Sequence, residues 1–393
     1  MNSFALALTA LLLLAGEAAA QQPESNAAPA VDEALVPTPL NTKPGPEYQS
    51  AVRGYQGVPG IARDQASGRL WACWFTGGRD ESKENYVVVV TSGDDGATWS
   101  EPVLVVDPPV DEVRTFDPCL WTTPDGRLLF FYTQNKSNGK TLHDGRWGVW
   151  LTQCEDPSRA DSTWTAPRRL CDGIMLNKPT VLRDGAWLLP VANWYDRKLG
   201  SGVVRSTDNG RTFTKIGGAP GRNNDPKGGL EHIIIERRDG SLWMPMRIGD
   251  GLAESFSTDG GVTWTEPTRS SIAGAGARFH VRRLKSGRLL MINYVGFDPA
   301  APPIARRTKL TALLSDDDGK TWPHKLLLDD REQVSYPDCV ETPEGKLYII
   351  YDRGRTSHHE ILMAITNEAD ILAGKPSAET KLRMLISKAK LPR

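Results

Sequence analysis

Six short stretches recur along the 393-residue chain, each just upstream of a glycine turn, and five of the six open on a charged or strongly polar cluster. They read Gln56-Gly57-Val58-Pro59, Phe116-Asp117-Pro118, Asn177-Lys178-Pro179, Glu231-His232, Arg278-Phe279-His280 and Tyr336-Pro337-Asp338. Each stretch turns apolar within a few residues, as a strand does on entering a core. Polar groups without partners are costly at core positions, and six equivalent ones are hard to place there. They fit a ring around a solvent-filled mouth, where His232 and His280 can bond ligand hydroxyls and Tyr336 or His280 can serve as a base. The plainer alternative is a set of satisfied strand ends lining a wet channel. The prolines suit strand starts.

The elements that must hold such a ring are visible as repeats. A small or acidic residue, a glycine, one variable residue and then Leu or Trp recurs six times, at Gly68, Gly126, Gly185, Gly240, Gly287 and Gly345. The glycines are 47 to 59 residues apart and lie between strand-like runs such as "GRLLFFYT" and "GSLWMPMR". Glycine supplies the positive φ that a tight hairpin needs. A second signature, Ser-x-Asp-x-Gly-x-Thr-Trp, follows most of them: "SGDDGATW" from Ser92, "STDNGRTF" from Ser206, "STDGGVTW" from Ser257 and "SDDDGKTW" from Ser315. A degenerate copy lies near "DPSRADSTW" from Asp156. Its Ser and Asp can bond backbone across a turn and its Trp can anchor the next strand, so the element is structural. Six units of about four strands predict an all-β fold, a six-bladed β-propeller of four-stranded antiparallel blades over residues 48–375.

The remaining segments are expected to be accessory. Residues 1–20 hold an apolar run ending in Ala18-Ala19-Ala20 and read as a signal peptide, which predicts a secreted or periplasmic protein. Residues 21–47 read as a linker and 376–393 as a C-terminal tail. The net charge of −1 and the lack of basic runs give no sign of a nucleic-acid or polybasic-membrane partner, and no later run suits a transmembrane segment. No metal or cofactor motif emerges, and the chain is expected to be a monomer. The five cysteines are widely spaced, which suits buried free thiols better than a disulfide framework.

With these repeats the chain resembles the sialidase (neuraminidase) superfamily, as a divergent member. The eight-residue signature is that family's Asp-box (BNR repeat), and six blades is its architecture. The resemblance implies a glycoside hydrolase with a tyrosine nucleophile, since an anionic nucleophile would be repelled by the carboxylate on the anomeric carbon. "YPDCVETPEG" looks like the context of that tyrosine, giving Tyr336, and "EHIIIERRDGSLWMPMR" looks like that of its activating glutamate, giving Glu231. The same motif ends in a carboxylate-binding arginine, Arg247; Arg306 or Arg307 lies where another is expected. Two features depart from the family. Gly57 stands where a first-blade arginine belongs, which leaves the pocket floor open and leaves Arg278 or Lys178 to substitute. The acid/base aspartate has no clean match; "TGGRDESKENYVVVV" offers Asp80, Glu81 and Glu84, with Glu84 preferred and Asp80 next.

The reading is therefore an exo-glycosidase that removes a terminal, acidic sugar from a glycan. Its site would comprise Tyr336, Glu231, Glu84 and Asp80 as catalytic groups. Arg247, Arg306, Arg307, Arg278, Asp117, Lys178, His232, His280 and Asp338 would bind substrate. The alternatives are another glycosidase or a uronate-directed lyase on the same ring, or a non-catalytic glycan-binding propeller. Trp121, Trp147, Trp194, Tyr195 and Tyr294 are candidates for stacking on sugar rings.

Overall fold

Strongly β-branched and aromatic runs separated by glycine turns can satisfy their backbone only by pairing with neighbours. In the computed structural model they do so as six antiparallel sheets, the blades of a β-propeller. The structure describes residues 1, 32–137, 143–194, 200–221, 229–249 and 251–390. The expected signal peptide lies outside the described residues, apart from Met1.

Blade 1 contains Gln56–Arg63, Leu70–Thr76, Tyr86–Ser92 and Leu104–Val106. Blade 2 contains Val113–Thr122, Leu128–Lys136, Val149–Cys154 and Arg168–Cys171. Blade 3 contains Thr180–Val181, Trp187–Ala192, Ser201–Ser206 and Thr214–Ala219. Blade 4 contains Ile235–Glu236, Leu242–Ile248, Gly251–Ser257 and Thr268–Arg269. Blade 5 contains His280–Arg283, Leu289–Tyr294, Leu310–Ser315 and His324–Asp329. Blade 6 contains Val334–Glu341, Lys346–Arg353, Glu360–Asn367 and Lys381–Lys388.

The last strand corrects the expected tail at 376–393: Lys381–Lys388 is the fourth strand of blade 6. Its Met384 and Ile386 pack against the core between blades 6 and 1. It eluded the repeat because blade 6 has no Ser-x-Asp signature before its fourth strand. A short helix, Glu368–Ala373, capped by Asn367 and by Gly374 at φ 68°, makes that connection instead. The expected linker is also partly structured: Leu40–Asn41 pairs with Val105 and Val106 and makes blade 1 five-stranded.

Where the signature is present, it ties the turn between the third and fourth strands. Ser92 Oγ accepts from the Gly96 N–H at 3.0 Å, and Asp94 Oδ1 accepts from the Thr98 N–H at 2.9 Å. The same pair of bonds recurs at Ser206/Asp208, Ser257/Asp259 and Ser315/Asp317. Apolar faces of neighbouring blades meet over tryptophans, of which Trp71, Trp74, Trp150, Trp187 and Trp243 are almost wholly buried. All five cysteines are free thiols.

Candidate active site

The polar strand starts work through one local distortion. In blades 1, 2 and 6 the residue before the proline is left-handed: Val58 at φ 57°, Asp117 at 46° and Tyr336 at 54°. The pairing register slips across each one, between Gly57 and Gly60, Phe116 and Cys119, and Ser335 and Asp338. Two residues thus face one on the neighbouring strand, which is a β-bulge. Proline suits the second bulge position because it has no N–H to leave unpaired. Blade 4 repeats the device with Glu231 at φ 53°, where pairing passes from Leu230 with Arg247 to Ile233 with Pro245. A bulge breaks the in–out alternation, so Asp117, Glu231 and Tyr336 leave their sheets and turn to the central axis. Left-handed φ on such residues costs about 1–3 kcal/mol each. Burying one tryptophan removes on the order of 200 Å² from water, worth about 5 kcal/mol, so the inter-blade cores outweigh the strain.

Tyr336 is held at its bulge from both sides. Its N–H donates to Tyr294 Oη at 3.0 Å. The Arg278 guanidinium donates to the carbonyls of Tyr336 and Pro337 at 3.2 and 2.9 Å. The phenol then donates to Glu231 Oε1 across the axis at 2.5 Å. Arg247 Nη1 donates to Tyr336 Oη at 2.7 Å and also to Glu231 Oε1. All three side chains are at least nine-tenths buried. Burial pushes the phenol up to about 12, opposed by Arg247, Arg355 and Arg307. The phenol is therefore neutral at neutral pH, with a carboxylate already placed to take its proton.

Besides Arg278, whose guanidinium lies 5.6 Å from the Tyr336 ring centre but is bound to backbone carbonyls, three guanidinium groups surround this pair, Arg247 among them. Of the two candidates before the last Asp-containing turn, Arg307 lies 5.6 Å from the Tyr336 ring centre, while Arg306 is turned to the Ala301 carbonyl. The third is Arg355, which lies over the Tyr336 ring at 3.8 Å. Its Nε donates to Asp352 Oδ2 at 3.0 Å, while Nη2 is buried without a partner. Arg355 also fills the space at Gly57, where a Cβ would stand 2.6 Å from Arg355 Cδ. The pocket floor at Gly57 is therefore not open, which corrects the sequence reading. Neither proposed substitute provides a free cation there. Arg278 spends both of its Nη groups on the carbonyls of Leu176, Pro59, Tyr336 and Pro337. Lys178 is ion-paired with Asp338, whose other oxygen faces His280 Nδ1 at 3.3 Å. His232 is likewise occupied, with Nε2 on the Gly202 carbonyl at 2.8 Å. Arg278, Lys178, His280 and Asp338 thus tie the inner strands together beneath the Tyr336 centre.

Among the first-blade loop carboxylates, Asp80 and Glu84 are exposed. Glu81 is the one that turns inward, to His143 Nε2 at 2.6 Å and Arg114 at 3.3 Å. Burial opposes its charge, but His143 and Arg114 hold its carboxyl near 2. Asp117, on the second blade, is buried and pushed up to about 6, chiefly by loss of water and further by the Glu81 and Glu231 carboxylates. Of the aromatic candidates, Trp194 stacks on His143 at 5.2 Å, Trp121 packs edge-on against Trp187, and Tyr294 supports the Tyr336 backbone. Tyr195 lies outside the described residues. Among the described residues no group of three or more His, Cys, Asp or Glu is arranged to hold a metal ion. Sequence reasoning missed Arg355, His143 and Asp352, which lie outside the repeated strand starts. The one available signal was Gly57 itself, because an arginine lost there leaves a space that another side chain can fill.

A family model described as a BNR repeat-like domain matches residues 68–349. No curated protein matches. Among solved structures, a Hadza microbial sialidase superposes with a TM-score of 0.62 at 20% identity, covering 81% of this chain and 66% of that one. A Ruminococcus gnavus intramolecular trans-sialidase, solved with oseltamivir carboxylate, gives 0.60 at 15% identity, covering 83% and 97%. A protein of unknown function from Dyadobacter fermentans gives 0.59 at 18% identity, covering 81% and 96%. At these identities the likeness is one of fold.

Proposed function

The chain belongs to the BNR repeat-like family, and we propose that it is an exo-glycosidase of the sialidase type, cleaving a terminal sugar acid from a glycan. The observation that carries this reading is the Tyr336–Glu231 contact at 2.5 Å inside a cluster of three arginines. A sugar carboxylate docks on Arg247, Arg307 and Arg355 through charge-assisted hydrogen bonds. Its charge disfavours an anionic nucleophile, and a neutral phenol avoids that repulsion. As Tyr336 Oη forms a bond to the anomeric carbon, its proton passes to Glu231. The glycosidic C–O bond breaks and the leaving oxygen takes a proton from Asp117. In the second step water attacks the anomeric carbon, Asp117 accepts the water proton, and Glu231 returns its proton to Tyr336. Asp117 suits the acid role better than Glu81, because a group near 6 still holds a proton in mildly acidic solution and one near 2 does not. Export through the amino-terminal apolar segment is part of the same proposal; no helix among the described residues is long and apolar enough to cross a membrane.

The test is turnover of an aryl sialoside beside its neutral-sugar counterpart. Tyr336→Phe is expected to lower kcat by several powers of ten with an unchanged circular dichroism spectrum. Near-normal kcat in that variant, or equal turnover of the neutral glycoside by the parent protein, would overturn the reading.

A further inference from the structure

The inner strands end, on the face that carries the glycine turns, in a second cavity. Its volume of about 690 Å³ lies within the roughly 300–1,000 Å³ typical of small-molecule sites. Neither Tyr336 nor Glu231 lines it. Arg278, bonded to carbonyls of blades 1 and 6 and of the segment leading into blade 3, crosses the channel between the two centres. Trp121, Ile233 and Val281 supply apolar wall.

Two residues lining this cavity each have one buried nitrogen without a partner. His280 is 4% exposed and lines it, with Nδ1 turned to the Asp338 carboxylate. A carboxylate only accepts, so Nδ1 carries the imidazole proton and Nε2 presents a lone pair. That Nε2 is buried with no hydrogen bond. Arg282 donates through Nη1 to the Cys339 carbonyl at 3.2 Å, but its Nε is also buried without a partner. A buried acceptor and a buried cationic donor left unpaired are both unfavourable, and a ligand with the complementary groups relieves both. At the rim Arg183 is paired with Glu236 and Arg283 with Asp318, which leaves Arg238 and Glu341 to offset each other, so the charge that selects an anion is that of Arg282 deeper in the wall.

From these positions we propose that the cavity is a second ligand site, separate from the Tyr336 centre, for a small hydroxylated carboxylate. A ligand hydroxyl donates to His280 Nε2, the carboxylate accepts from Arg282, and the carbon skeleton packs against Trp121. The site does not depend on the glycosidase reading, since it shares no residue with the Tyr336, Glu231 and arginine cluster.

The probes are D-gluconate and the uncharged polyol sorbitol, titrated calorimetrically into the full-length protein carrying Arg247→Ala. That background removes an arginine of the other centre. Gluconate is expected to bind there with one site and the same Kd as this site shows in the parent protein, and sorbitol at least tenfold more weakly. Adding Arg282→Met, which keeps the aliphatic stem, should weaken gluconate tenfold or more, as loss of a charge-assisted bond does. His280→Phe should weaken both probes, with the fold checked by circular dichroism. Gluconate binding that vanishes with Arg247→Ala, equal affinity for sorbitol, indifference to both cavity variants, or no binding at all would each refute the proposal.

Discussion

In the proposed reaction Asp117 trades stability for reactivity. Its folded value near 6 is above the usual carboxylate value of 3.8, with burial as the main cause. A raised value means the folded state holds its proton while the unfolded state releases it. The associated stability is fully present below about pH 4 and is lost as pH rises through about 6. Asp117→Asn removes that loss. The variant is expected to melt at a higher temperature than the parent at pH 7, by the equivalent of about 2–3 kcal/mol, and at the same temperature at pH 3.5. Thermal scans at the two pH values check this. The same variant should lose about 10²–10⁴ in kcat on glycosides with poor leaving groups and less on aryl glycosides, as removal of a general acid does. A gain in Tm at both pH values would detach the effect from ionisation.

At the scale of the element, the Ser-x-Asp turns make the opposite use of a carboxylate. Asp94, Asp208, Asp259 and Asp317 are each held near 2, chiefly by the hydroxyl of the threonine four residues on. A depressed value gives stability that is present above about pH 4 and lost as pH falls through about 2. Asp259→Asn should therefore lower Tm at pH 7 and leave it nearly unchanged at pH 2, provided both proteins are still folded there. This element was legible in the sequence because its function is local: Ser, Asp, Gly and Thr act on one another within eight residues. The glycine hairpins were legible for the same reason. A Cβ at Gly126, Gly185, Gly240, Gly287 or Gly345 would meet nothing within 4 Å, so only the positive φ demands glycine there. The strand starts were half legible. Their polarity marked a ring, and Tyr336 and Glu231 do meet across it. The bulges that aim them, and the division between axis-facing and channel-bracing residues, depend on pairing register and on blades far apart in the chain.

At the scale of the molecule, the ring closes by side chains and by its last strand. Asp338 accepts the Ile61 N–H at 2.8 Å and Asp352 accepts the Val58 N–H at 2.9 Å, joining blade 6 to blade 1. Gln56 donates to the carbonyls of His359 and Ser387, and the Lys390 N–H donates to Ser50. Ending the chain at Lys375 would remove Lys381–Lys388, leave Glu360–Asn367 as an unpaired edge and uncover the core between blades 6 and 1. Such an edge invites aggregation. The shortened chain is expected to be insoluble or to unfold without a sharp transition, as scanning calorimetry would show. A soluble, cooperatively melting product would mean that the strand adds little to closure.

The contact between Gly57 and Arg355 also sets a rule for descent. A side chain at 57 and the guanidinium arm of Arg355 claim the same volume, so the two positions are alternatives. A lineage moving from a first-blade arginine to the sixth-blade one must pass through an ancestor with only two cations, or change both positions together. Either route leaves a trace: among relatives of this chain, a large residue at position 57 and an arginine at position 355 should exclude each other.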